Sequence, residues 1–172
     1  KIILLAGEGN EYLFSQYKAI NKLNTKITMQ RRPLHMSYVK AKNLPLFYGH
    51  CMQASNKPRI TITSYSIKES NEVVWYLGGD IAEVGVKRDR EAQNNYVKKE
   101  LKQLFPDYFS EIEHNSEIKI DSFMINRAEA KQRFGKRPTT PTVFRENNII
   151  TAWPTKLAFA PLLAENILQR LV

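Results

Sequence analysis

Few side chains in this chain combine useful chemistry with an unusual setting. Arg137 stands in Lys136-Arg-Pro-Thr-Thr-Pro141, where two prolines stiffen the backbone beside it. Its guanidinium is a planar fork that can meet a carboxylate with two parallel hydrogen bonds. The same stretch also reads as a solvated basic loop, with Lys131, Arg133 and Lys136 nearby. Lys156 lies between Trp153-Pro-Thr155 and Leu157-Ala-Phe-Ala-Pro161, where a helix should start. Its ammonium could face a ligand there or lie in solvent. Gln30-Arg-Arg-Pro-Leu-His35 carries two cations and an imidazole on one extended stretch. Alternation puts Arg31 and Pro33 on one face and Arg32 and Leu34 on the other. An edge strand with its charges outward accounts for these residues as well as a binding role does. Gly7 and Gly9 permit close approach of backbone to a ligand or a neighbouring strand.

Other chemistries find little support. Cys51 is the single cysteine, so no internal disulfide framework exists, and a reducing, cytoplasmic setting suits it. His50 cannot face Cys51 as its neighbour on a strand, and a thiol nucleophile would need another histidine. His35, His50 and His114 are scattered without metal-ligand spacing. The 26 Lys and Arg against 17 Asp and Glu leave a net charge of +9. That excess could draw a small anionic substrate, nucleic acid or an acidic protein partner. The charges are spread along the chain, however, and no RNP, zinc-finger or helix-turn-helix pattern accompanies them. No run approaches the roughly 18 apolar residues of a membrane span, and no signal peptide is evident.

These residues need elements to position them. Lys1–Ala6 is a continuous apolar run, as expected for a strand buried on both faces. Gly7 and Gly9 break it, and Asn10 can cap a helix over about 11–23. Period-two alternation follows in 25–31, 36–42, 59–67 and 72–77, with Pro33 between the first two strands and a polar turn between the last two. A helix is predicted over about 88–105, stopped by Pro106. Its polar face, with Asp89, Glu91, Lys98, Lys99 and Glu100, should be solvated. Strands are expected over 117–126, 143–145 and 149–152, the last two joined by Glu146-Asn-Asn148, and a helix over 162–171 closes the chain. The fold class is α+β: a largely antiparallel sheet with flanking helices, attached to a strand–helix unit of parallel type. The sequence suggests divisions at 1–24, 25–148 and 149–172.

In this order, Leu5-Ala-Gly-Glu-Gly9, Trp75-Tyr-Leu-Gly-Gly-Asp-Ile-Ala-Glu83, Lys136-Arg-Pro-Thr-Thr-Pro141 and Ala152-Trp-Pro-Thr-Lys-Leu-Ala-Phe-Ala-Pro161 resemble the C-terminal half of FAD-dependent oxidoreductases of the D-amino-acid oxidase and glycerol-3-phosphate dehydrogenase type. The resemblance spans nearly the whole chain. It implies that residues 1–24 are a remnant of a Rossmann-like FAD-binding domain, that 25–148 form an antiparallel substrate-binding domain, and that 149–172 return to the FAD-binding domain. The G-x-G-x-x-G of that family, which binds the dinucleotide pyrophosphate, has no counterpart here. With a chain that opens in mid-strand and lacks an initiator Met, this reads as half an enzyme whose partner is a missing N-terminal dinucleotide-binding half.

The resemblance also implies roles. Arg137 would hold an anionic group of a small substrate, although Thr142 stands where the family usually has Asp. Arg31 and His35, on the strand entering the substrate domain, would be further substrate-binding candidates. Gly7 and Gly9 would lie close to FAD. Thr155, Lys156, Leu157 and Ala158 replace a turn that is usually Gly-rich and meets the flavin N1/C2=O edge, with Lys156 supplying positive charge. The intact protein would oxidise a small amine, amino acid or hydroxy compound by hydride transfer to flavin. This piece alone would bind FAD weakly or not at all and be inactive. A basic, non-catalytic binding module for nucleic acid or an acidic partner is the alternative.

Overall fold

A computed structural model of the chain describes residues 1–22, 27–54, 56–110 and 115–171. The expected end of the first helix at 23, the expected start of the next strand at 25, and His114 lie outside them. The chain divides into two compact units, Lys1–Arg32 with Asn126–Val172, and Pro33–Ile125. The divisions suggested by the sequence, after 24 and after 148, differ from these. Part of the difference is a hairpin: Thr142–Glu146 pairs with Ile149–Trp153, which places 142–148 in the first unit.

The first unit contains a three-stranded sheet ordered β1 (Ile2–Leu4), β8 (Ile149–Trp153), β7 (Thr142–Glu146). β1 runs parallel to β8, with Ile2 opposite Ile149 and Leu4 opposite Thr151. β7 is antiparallel to β8 across a turn in which Asn147 has φ 51°, a left-handed value that Asn tolerates better than most residues. The strand buried on both faces is β8, all five residues of which are buried. β1 was the expected one, but Ile2 is 49% and Ile3 41% exposed. β1 is an edge strand whose one recorded neighbour is β8. Helix α1 (Asn10–Asn21) covers one face of β8, where Phe14 packs with Ile149 and Trp153. Helix α5 (Ala160–Leu168) covers the other, where Leu163 and Ile167 meet Ile150 and Ala152. Alternation along β8 therefore feeds two small cores in turn.

Asn10 is fully buried and does not cap α1 as expected. Its Oδ1 accepts from the Ala6 amide at 2.7 Å, and its Nδ2 donates to the Ala152 carbonyl at 2.9 Å. This one side chain ties the end of β1 to the end of β8.

The second unit contains most of a five-stranded sheet ordered β3 (Gly49–Met52), β4 (Pro58–Ile67), β5 (Glu72–Gly78), β2 (Met29–Lys42), β6 (Lys119–Ala130), of which Met29–Arg32 and Asn126–Ala130 belong to the first unit. The β3–β4, β4–β5 and β2–β5 pairings are antiparallel. β2 runs unbroken through Pro33, where two strands were expected. Its register with β5 begins only at Ser37, so the missing Pro33 N–H interrupts none of those pairs. Helix α2 (Asp80–Gly85), absent from the sequence reading, starts immediately after Gly79. Gly79 has φ 89°, and a Cβ there would stand 2.8 Å from the Pro58 carbonyl oxygen, so only Gly fits this sharp exit from β5. Asp89 caps α3 (Arg90–Leu104) by accepting from the Ala92 amide at 2.8 Å. Pro106 then opens the short helix α4 (Pro106–Phe109) instead of simply ending the preceding one.

The core of the second unit joins Val39, Ile60, Ile62, Trp75 and Leu77 of the sheet to Ile81, Val97, Leu101 and Phe109 of the helices. Glu100 departs from the expected solvated face of α3. It is buried and held by Arg59, with Nη2–Oε1 at 2.8 Å. The antiparallel sheet, its flanking helices and the parallel strand–helix unit agree with the α+β class read from sequence.

Candidate functional site

The chemistry-bearing segments of the first unit converge on one cavity of about 520 Å³. Its wall is formed by Leu5, Gly7 and Glu8 after β1, by Asn126, Arg127 and Ala128 on β6, by Arg137, and by the run Trp153–Leu157 after β8. Segments far apart in sequence thus meet at the ends of β1 and β8. Three side chains in the wall are cationic and one is a carboxylate.

The turn after β8 has unusual backbone. Thr155 has φ 64°, and the Lys156 amide donates to the Pro154 carbonyl two residues back at 2.7 Å. That bond closes a γ-turn around a left-handed central residue, a rare and strained conformation, more so for a β-branched side chain. The Thr155 hydroxyl donates to the Thr140 carbonyl at 3.2 Å, and its own carbonyl accepts from Arg137 Nη2 at 3.3 Å. The turn and the 137–141 loop therefore hold each other. Beyond it, Leu157–Phe159 makes one 3-10 turn into α5, and neither helix start has a side-chain cap. Leading N–H groups of a helix have no intrahelical partner, and the helix dipole adds partial positive charge there.

Gly7 also has a left-handed φ, 56°, and a Cβ at that position would meet nothing within 4 Å. Its glycine requirement is conformational, and the space above it is open. The Trp153 indole donates to the Gly7 carbonyl at 3.0 Å, which fixes this turn against β8. Gly9 has ordinary helical backbone and lies outside the cavity wall, with Ala6 Cβ 3.3 Å from where its own Cβ would be.

Of the residues singled out in the sequence, Arg137, Gly7, Thr155, Lys156 and Leu157 line the cavity, whereas Ala158 does not. Lys156 is exposed, with its Nζ 5.6 Å from the centre of the Phe159 ring. Arg31 is engaged elsewhere. Its Nε lies 2.7 Å from Glu8 and its Nη1 3.3 Å from Glu11. The hydrogen bond it donates to Glu8, reinforced by Glu11, raises the guanidinium pKa above its ordinary value despite some desolvation. Arg31 thereby positions Glu8, which does line the cavity. His35 belongs to the second unit, where it is buried with its Nδ1 3.0 Å from the Gly85 carbonyl oxygen. Its backbone carbonyl faces the Gln93 amide at 3.4 Å. Cys51 gives no sign of an activated thiol, since burial pushes its pKa up more than Arg59 lowers it.

Glu129 was not among the site residues expected from the sequence. This carboxylate is completely buried beneath the loop that carries Arg137, 3.2 Å from Arg32 Nη2 and 3.8 Å from Arg137 Nε. The available signal was a charged residue flanked by alanines at the end of a strand. No group of three or more His, Cys, Asp or Glu side chains among the described residues is placed to hold a metal ion. No helix among them is long and apolar enough to cross a membrane.

No family model matches the chain. Over 172 residues, 99% of its length, the chain is 39% identical to a probable FAD-dependent oxidoreductase of Pseudomonas aeruginosa, and it spans 41% of that relative. A crystal structure of an FAD-dependent oxidoreductase from the same organism superposes with a TM-score of 0.84 at 39% identity, covering 99% of this chain and 44% of the solved one. The chain is thus similar throughout to part of an FAD-dependent oxidoreductase. These likenesses do not favour a nucleic-acid or acidic-partner module.

Proposed function

We propose that this chain is the substrate-binding and flavin-covering part of an FAD-dependent oxidoreductase of the D-amino-acid oxidase and glycerol-3-phosphate dehydrogenase type, acting on a small amine, amino acid or hydroxy compound that carries an anionic group. The observation that carries this reading is the meeting of Gly7, Arg137 and the Thr155–Leu157 turn in one cavity.

The residues present fit a flavin edge. The turn after β8 leads into helix starts without side-chain caps, and the open space above Gly7 admits a flat group. Gly7, Thr155, Lys156 and Leu157 would hold the flavin on that side, with Gly9 and Ala158 shaping the adjoining backbone. Bound there, flavin supplies a hydride acceptor. Lys156 and the N-terminal end of α5 would oppose the negative charge that the ring system gains on reduction. Arg137 would hold the anionic group of the substrate and so fix which bond faces the flavin. Arg31 contributes through Glu8, by keeping that carboxylate in place at the cavity wall.

The dinucleotide itself needs a further surface. The relative is more than twice the length of this chain. A dinucleotide-binding half would pack on the apolar groove between β1 and α5. That groove, of about 470 Å³, is lined by Ile3, Leu5, Pro154, Ala160, Leu163, Ala164, Ile167, Leu168 and Leu171. An exposed apolar patch beside an open strand edge suits a strand added in parallel.

The test is made on the longer protein that carries this chain. Purified, it should show a flavin absorbance spectrum. The visible band should bleach under anaerobic conditions with one class among amines, amino acids and hydroxy acids, and not with the uncharged analogues of that class. A colourless protein that cannot be reconstituted with FAD would overturn the reading.

A further inference from the structure

A fully buried carboxylate needs a physical reason, because desolvation penalises it unless charged and hydrogen-bonding partners repay the cost. The Glu129 side chain is 0% exposed, while that of Arg137, its neighbour, is 36% exposed at the cavity wall. Glu129 Oε1 lies 3.2 Å from Arg32 Nη2 and 3.8 Å from Arg137 Nε. Its Oε2 accepts from Gln30 Nε2 at 3.3 Å. Gln30 also donates to the Lys136 carbonyl at 2.9 Å and accepts from the Gln132 amide at 3.1 Å. Glu129 and Gln30 together form a polar base beneath the loop that delivers Arg137.

Arg137 is held at two points. Glu129 attracts its Nε edge, and the Thr155 carbonyl takes one N–H of Nη2. At 3.8 Å the Glu129 contact is an ion pair and not a hydrogen bond, and both N–H groups of Nη1 and the second N–H of Nη2 meet no acceptor among the described residues. A guanidinium fixed in this way loses little further freedom when it binds a planar anion.

We propose that Glu129 is a positioning residue for Arg137. It holds the guanidinium by its Nε edge, so that the Nη1–Nη2 end meets one carboxylate end-on in the cavity. This rests on the reading of Arg137 as the anion-binding residue. Glu129 is not part of the cavity wall, and its effect on a bound anion would pass through Arg137 and through the loop that Gln30 anchors.

The experiment uses the longer protein that carries this chain, with propionate as probe and propionamide as its neutral isostere, followed by saturation-transfer NMR. Wild type, Glu129→Gln, Arg137→Met and the double variant are compared, and each variant's melting temperature is recorded. Wild type should prefer propionate, and Arg137→Met should abolish the preference. Glu129→Gln should weaken propionate binding by about tenfold, a loss of one factor of ten in affinity, and leave propionamide unchanged. The double variant should be no worse than Arg137→Met alone, the non-additivity expected of residues acting through one contact. If Glu129→Gln does not fold, Glu129→Asp serves instead, and its retracted carboxylate should produce the same selective loss at smaller size. An Arg137 effect with no Glu129 effect on propionate would overturn the positioning role and leave the site reading intact. No propionate preference in the wild type, or no effect of Arg137→Met, would overturn the site reading and the positioning role with it.

Discussion

Thr155 should show an inverted preference between glycine and alanine. With φ 64°, its Cβ sits in the left-handed region, which costs an L-residue roughly 1–2 kcal/mol. Thr155→Ala keeps that cost and loses the hydroxyl bond to the Thr140 carbonyl, a net contribution of about 0.5–1.5 kcal/mol. Thr155→Gly loses the same bond, removes the Cβ and adds roughly 0.5–1 kcal/mol of backbone entropy cost. The common loss cancels in the comparison. Relief of the left-handed cost minus the entropy leaves Thr155→Gly more stable than Thr155→Ala by about 0.8 kcal/mol at mid-range and by at most about 1.5 kcal/mol. Denaturant unfolding of the two variants beside the wild type measures this difference. At an ordinary backbone position the order is reversed, with alanine ahead. An alanine variant as stable as the glycine variant, or more so, would therefore refute the left-handed turn and the strained γ-turn with it.

Asn10→Ala should destabilise by roughly 1–3 kcal/mol, because it leaves the buried Ala152 carbonyl without this donor and releases the exposed Ala6 amide to solvent at the junction of β1 and β8. A change below about 0.5 kcal/mol in chemical denaturation, the level of an ordinary surface substitution, would show that the junction holds without it. The Arg90 guanidinium, hydrogen-bonded to Asp121, holds that carboxyl below the usual carboxylate range. A depressed folded-state pKa stabilises above the unfolded value, about 3.9, and the contribution disappears as pH falls through the folded value. Asp121→Asn should therefore unfold more easily than wild type at neutral pH, and the gap should close on acidification below about pH 4. A gap that persists in strong acid would contradict this linkage.

The sequence was informative where one element's pattern was sufficient. Alternation identified β4 and β5 because each has one face on the main core and one facing away. The hairpin turn between β7 and β8 was visible in Glu146-Asn-Asn148. Order along the chain carried the resemblance by which Gly7, Gly9, Arg137 and 155–158 were singled out, but that Gly7, Arg137 and Thr155–Leu157 share one cavity wall, and Gly9 and Ala158 do not, is a fact of the fold. Burial of β1 was misread because an apolar run looks the same whether a strand is central or at an edge, and neighbours decide which. That Pro33 is tolerated within β2 depended on the pairing with β5 starting only at Ser37, opposite Leu77, a non-local fact. The burial of Glu129 was not legible for a similar reason: its guanidinium partners come from 97 residues upstream and eight residues downstream. His35 and Arg31 were singled out by residue type, whereas packing gave them the Gly85 carbonyl and the two carboxylates of Glu8 and Glu11.

The most direct test of the central claim, that the turn after β8 meets a flavin edge, is the flavin midpoint potential of the longer protein with Lys156→Met and Lys156→Arg. Removing the cation should lower the potential by tens of millivolts, since charge gained on reduction loses its counter-charge. Lys156→Arg should stay close to the wild-type value. Potentiometric titrations that superimpose for Lys156→Met and wild type would contradict the claim and return Lys156 to solvent.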